Sequence, residues 1–166
     1  MIIGMKILKF SALIACINSS FSRTQKSTTL PKHVQSTTVR GLKYYLYADP
    51  VTFLEAVQLC DERGQTLANI SDRIQQSQLA IRHWQRLNPW IGIVNFQGSM
   101  RWVSDFSLVN DRQKRRNWSY NDVQRAKRHT LHPSECSAFM SQENYGVWKI
   151  DNCERTKRPY ICHRKI

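Results

Sequence analysis

The chain has 166 residues, which is room for one ordinary domain with a real core plus some extra segments, and too few for several domains. Its 25 Lys and Arg stand against 12 Asp and Glu, a formal charge of +13. That balance bears on partners and solubility and not on fold, leaving anionic glycans, acidic proteins, membrane surfaces and nucleic acid open.

Residues 1–9 carry two lysines, Phe10–Ile17 form a short apolar run, and Asn18-Ser19-Ser20 follow at once. The run is too short for a membrane-spanning helix, which needs about 20 apolar residues. Residues 1–20 therefore read as a secretory signal peptide with cleavage near Ser20, and no other apolar stretch is long enough to span a bilayer. The predicted location is secreted and extracellular. Cys16 leaves with the signal, so the mature chain keeps Cys60, Cys136, Cys153 and Cys162. An even number in an exported chain reads as disulfides, with three possible pairings. His129 and His132 precede Cys136, but no Cys-x-x-Cys element accompanies them, so a zinc site is not predicted.

Residues 21–41 are rich in Ser and Thr, carry four basic residues and no acid, and lack apolar periodicity. They read as a solvated linker and a candidate for O-glycosylation. The folded region, 42–166, begins with a β-prone run at Lys43–Tyr47. Thr52 and Glu55 have the spacing of a capping box at a helix start, and Phe53, Val57 and Cys60 follow on one face. Gly64 stops that helix. A second helix is predicted from Ser71 to about Arg86, with Ile74, Ile81 and Trp84 inward, ended by Asn88-Pro89.

From Trp90 the pattern turns to strands. Trp90–Val94 is a nearly unbroken apolar strand, and Gln97-Gly98-Ser99 is a turn leading into Met100–Val103. Residues 104–134 show no sustained period and read as a long irregular loop, acceptable in a compact domain when the loop is functional. Short strands at 136–140, 147–150 and 159–163 close the chain. The order gives an α+β fold, with two helices flanking mainly antiparallel sheet.

These pieces together resemble the C-type lectin-like domain over about residues 42–164. The stretches carrying the resemblance are FLEAVQLC, GQTLANI, WIGI, RWVSD, Asn117-Trp118 and the closing ECSAF, VWKIDNC and RPYIC. The resemblance implies two structural disulfides, Cys60–Cys162 and Cys136–Cys153, hence no thiol nucleophile and no enzyme. It also implies glycan recognition. In sugar-binding members, calcium ligands come from a Pro-containing tripeptide in the long loop, a Glu two residues before a cysteine, and Asn-Asp after a strand Trp. The corresponding positions here hold Asp122-Val123-Gln124, Ser134 (with Glu135 beside it) and Lys149-Ile150. Calcium takes six to eight oxygens, so no metal or other cofactor is expected, and the Lys149 ammonium would stand against a cation.

The long loop offers a replacement surface. Arg112, Lys114, Arg115, Arg116, Arg125, Lys127 and Arg128 outnumber Asp105, Asp111 and Asp122, a net +4, with Trp118 and Tyr120 between the two basic clusters. Trp118 reads as core. The candidate ligand-binding set is those seven cations with Tyr120 and Lys149, suited to sulfate, phosphate or carboxylate. Asn69 and Asn117 head N-glycosylation sequons. The leading expectation is a secreted lectin-like protein binding glycans or glycoproteins, including polyanionic ones, without calcium. Two alternatives stay open: a protein-interaction module for an acidic partner, and a cationic defence protein. Nucleic acid is not expected, for want of a recognised motif.

Overall fold

The computed structural model describes residues 34–71, 75, 78–79, 83–96, 98–109, 118–127, 132, 134–135, 137–142 and 147–166. The predicted signal peptide and most of the predicted linker lie outside them.

Among the described residues eight strands form one sheet, beginning with a hairpin. Gln35–Val39 (β1) pairs antiparallel with Leu42–Val51 (β2), Gln35 opposite Leu46 and Val39 opposite Leu42. The turn between them places Arg40 and Gly41 at positive φ. β1 falls within the stretch read as linker. Its Ser and Thr residues hide the signal because most of the strand is exposed and only Val39 is buried.

Phe53–Glu62 (α1) starts as predicted: Thr52 and Glu55 form a reciprocal capping box, and Phe53, Ala56, Val57 and Cys60 are buried. Gly64 follows the helix at φ +64°, the left-handed conformation that glycine adopts at low cost. Of the second predicted helix, residues 75, 78 and 79 are helical, while Ile74 and Ile81 lie outside the described residues. The predicted continuation to Arg86 is corrected. His83 takes left-handed φ, a 3-10 turn covers Trp84–Leu87, and left-handed Asn88 precedes Pro89. Trp84 is buried there and its indole N–H donates to Gln35 of β1.

The remaining strands are Thr66–Leu67 (β3), Trp90–Phe96 (β4), Ser99–Trp102 (β5), Ser137–Met140 (β6), Trp148–Asp151 (β7) and Arg158–Lys165 (β8). The main path is β1-β2-β8-β4-β6-β7, with β3 on β8 and β5 on β4. Trp90 pairs parallel with Tyr160, and the other pairings among these eight strands are antiparallel. The sequence reading placed five of these strands, β4 to β8, within a residue or two, because short apolar runs mark them.

Cys60 and Cys162 form a disulfide across 102 residues, tying α1 to β8. Cys153 is also disulfide-bonded; Cys136, its expected partner, lies outside the described residues. The core lies under β4, β6, β7 and β8 and includes Ile91, Ile93, Trp102, Trp118, Trp148, Ile150 and Ile161. Trp148 meets Trp102 and Trp118 edge to face, with ring centres 5.6 and 5.7 Å away. Such pairs add to the burial of large apolar surface.

Candidate functional site

The long loop is less irregular than its sequence suggests. Its first part folds back along β5: Val109 N–H donates to Met100 O, and Arg101 bridges to Leu108. Asp105 accepts from the Ser107 N–H and hydroxyl, a side-chain turn that shapes this corner. Residues 112–117 lie outside the described residues, so the predicted ligands Arg112, Lys114, Arg115 and Arg116 and the sequon residue Asn117 have no described position. Arg128 is outside them too, and Lys127 enters only through its backbone.

Trp118 is core, as expected, 7 % exposed and bridged to Trp148, whose carbonyl accepts from Ser119 N–H. A short helix follows, Tyr120–Lys127 (α2), which the sequence reading missed. A legible signal existed. Ser119-Tyr120-Asn121-Asp122 has the S-x-x-D spacing of a helix start, and Asp122 lies in the first turn, where an acid suits the helix dipole.

α2 carries the centre of the site. Asp122 is buried; one carboxylate oxygen accepts from Ile150 N–H of β7 at 3.1 Å, and the other lies 3.5 Å from Arg125 Nη1. Arg125 and Asp122 sit three apart on one helical face, the spacing at which side chains meet. Arg125 Nη2 donates to both oxygens of Glu135, each at 2.5 Å. Glu135 also accepts from His132 N–H, and its own N–H donates to His132 O. The hydrogen bond from Arg125 is the main reason the Glu135 carboxyl is held below its ordinary range, and the same bond raises Arg125.

Two placements follow for the candidate ligand set. The Arg125 guanidinium joins two carboxylates of its own chain, Asp122 and Glu135. Lys149 lies on β7, on the face away from Asp122. Strand alternation explains the second point: Trp148 and Ile150 are buried, and Lys149 and Asp151 project from the other face of β7. On that face Lys149 pairs in register with Phe139, and Arg158 spans Asp151 and the Phe139 ring, 3.6 Å from its centre. Tyr120, in the candidate ligand set, is 75 % exposed.

The turn before β6 is fastened to the end of β7. Ser134 O accepts from Cys153 N–H, and Ser134 Oγ accepts from the Asn152 amide and meets His132 Nδ1 at 2.7 Å. The site is therefore α2, this turn and the β7 backbone, joined through the Asp122–Arg125–Glu135 set. The other sequon residue, Asn69, is half-buried. Its backbone carbonyl accepts from the Tyr44 hydroxyl, and its side-chain amide lies 3.4 Å from Ser104 Oγ.

The profile of the lectin C-type domain matches residues 49–164, which include α1, α2, β7 and the residues of this site. The chain belongs to the C-type lectin family. This lectin domain is 28 % identical over 126 residues to rat asialoglycoprotein receptor 2, covering 75 % of the chain and 39 % of the receptor. It is 26 % identical over 127 residues to human C-type mannose receptor 2, covering 74 % of the chain and 8 % of the receptor. It thus spans well under half the length of these curated relatives. The lectin fold also superposes on the human scavenger receptor C-type lectin carbohydrate-recognition domain, with TM-score 0.65, 21 % identity, 83 % of this chain and 100 % of that one. A calcium-independent type II antifreeze protein gives TM-score 0.63, 20 % identity, 84 % of this chain and 98 % of that one.

Proposed function

We propose that this protein is an exported, non-enzymatic lectin-like domain that binds glycans without calcium, using the surface of α2, the β7 end and the basic loop. Carbohydrate recognition is supported by family membership and by relatives that include receptors for mannose and asialoglycoproteins. Calcium independence is supported by one observation above the rest, the Arg125 guanidinium joined to Asp122 and Glu135. A divalent ion takes six to eight oxygens. Here the two nearest carboxylates already neutralise an internal cation, and Asp122 spends a further lone pair on the strand backbone. Ile150 offers only a hydrocarbon, and among the described residues no three His, Cys, Asp or Glu are grouped to hold an ion. The residues present do not fit calcium.

Sulfated or otherwise anionic glycans are the ligands best matched to the loop cations, since guanidinium groups grip such oxyanions bidentately. Export rests on the signal-like residues 1–20. Among the described residues no helix is long and apolar enough to cross a membrane. A glycan array carrying neutral and sulfated sugars tests the reading. We expect sulfated sugars to be selected, and Arg115→Ala/Arg116→Ala to lose that selection. Saturable capture of a deglycosylated protein, with no glycan bound, would replace this reading with the protein-interaction module.

A further inference from the structure

A second basic surface lies at the other end of the strand order from β7, where β2 and β8 pair. Register places Lys43 directly opposite Arg164, and Tyr45 and Tyr47 follow on the same face opposite Cys162 and Tyr160. The two cations share one ring. Lys43 Nζ is 5.5 Å and Arg164 Cζ 5.6 Å from the centre of Tyr45, within cation–π range. Arg63, just past α1, lies 4.3 Å over the neighbouring Tyr47 ring. Burial raises the Tyr47 hydroxyl, while Arg63 and Arg164 both act on it in the opposite sense.

No acid interrupts the patch from its own strands: 34–48 and 155–166 contain neither Asp nor Glu. The β1 neighbours on this face, Ser36 and Thr38, are exposed and uncharged. Asp49, two residues beyond Tyr47, marks the acidic limit. Like charges directly opposite across a strand pair destabilise it, so this arrangement has a cost that an external anion would relieve. Tyr45 is only 5 % exposed beneath its cations, so the surface presents charge and not apolar area. A protein interface draws its energy from buried aromatic or apolar anchors; a hydrated polyanion needs only the cations.

We infer that Lys43, Arg164 and Arg63 form a second anion-binding surface, separate from the α2 site, that takes a sulfated polysaccharide chain. The test uses the full chain and heparin as the probe, over a series of salt concentrations. Lys43→Gln/Arg164→Gln is compared with Arg115→Gln/Arg116→Gln, which withdraws the same charge from the long loop. The β2–β8 pair is expected to lower heparin affinity about tenfold and to shallow the slope of log affinity against log salt by about one per cation removed. Exchanging the cations, Lys43→Arg/Arg164→Lys, should keep the binding, which separates lost charge from damaged fold. Because the facing cations repel, the Gln pair should melt no lower than the parent at low salt. Affinity within twofold of the parent would overturn the assignment. Equal loss from both pairs would do so as well, reducing the effect to net charge. Loss from the loop pair alone would overturn it while leaving the glycan site above intact.

Discussion

Asp122, Arg125 and Glu135 have unequal weights, and burial sets the order. Asp122 is buried and accepts the Ile150 backbone N–H, whereas the Arg125 side chain is 40 % exposed. Removing the acceptor of a buried donor costs about 1–3 kcal/mol, while an ion pair this exposed contributes about 1 kcal/mol or less after screening. Asp122→Ala should therefore lower unfolding free energy by about 2 kcal/mol in urea titration, and Arg125→Gln by less than half of that. Equal losses would mean that the ion pair, and not the backbone bond, anchors α2. A pH dependence follows from Glu135. Its carboxyl titrates lower in the folded chain than in the unfolded one, so the unfolded state takes up the proton first. The stabilisation is complete above the ordinary glutamate value of about 4.3 and is lost as pH falls through the lower, folded value. Glu135→Gln should flatten this part of the stability–pH curve below about pH 5, as read by thermal melting across pH.

At the scale of elements, legibility follows burial. α1 was readable because its capping box and apolar face are written within ten residues, and the apolar strands because Gly, Pro and Asn bound them. β1 was not, because an edge strand with one buried residue looks like any Ser/Thr-rich linker. α2 was overlooked for a related reason: its stretch is polar, and its hold on the fold comes through Asp122 to a strand 28 residues away. The candidate site was half legible for the same cause. Asp122-Val123-Gln124, Ser134 with Glu135 beside it, and Lys149-Ile150 were read as the positions of lost ion ligands, but spacing alone could not reveal that Arg125 reaches both acids. In β4, Gly92 leaves little room for a side chain. Gly92 N–H donates to Ala68 O, and a Cβ on Gly92 would lie 2.5 Å from the Leu67 carbonyl oxygen. Gly92→Ala should cost about 1–3 kcal/mol by overpacking, with a matching fall in thermal midpoint. An unchanged midpoint would mean that β3 moves aside freely.

For the whole molecule, the sheet separates duties along its strand order. The β1-β2-β8 end holds the chain closure through Cys60–Cys162, and the β6-β7 end holds the site. A cross-link spanning 102 residues constrains the unfolded chain strongly, worth about 4–5 kcal/mol in the chain-entropy view. Cys60→Ala/Cys162→Ala should lose most of that in denaturant titration, and a loss under about 1 kcal/mol would show that the core alone closes the fold. At the β7 end, the residues joining α2, the turn at Ser134 and β7 are bonded to one another directly. The most direct measurement is glycan binding by the full chain, with calcium supplied and then withdrawn by a chelator. An internal guanidinium in the cation's role predicts the same affinity in both conditions. Binding that disappears with the chelator and returns with calcium would contradict it.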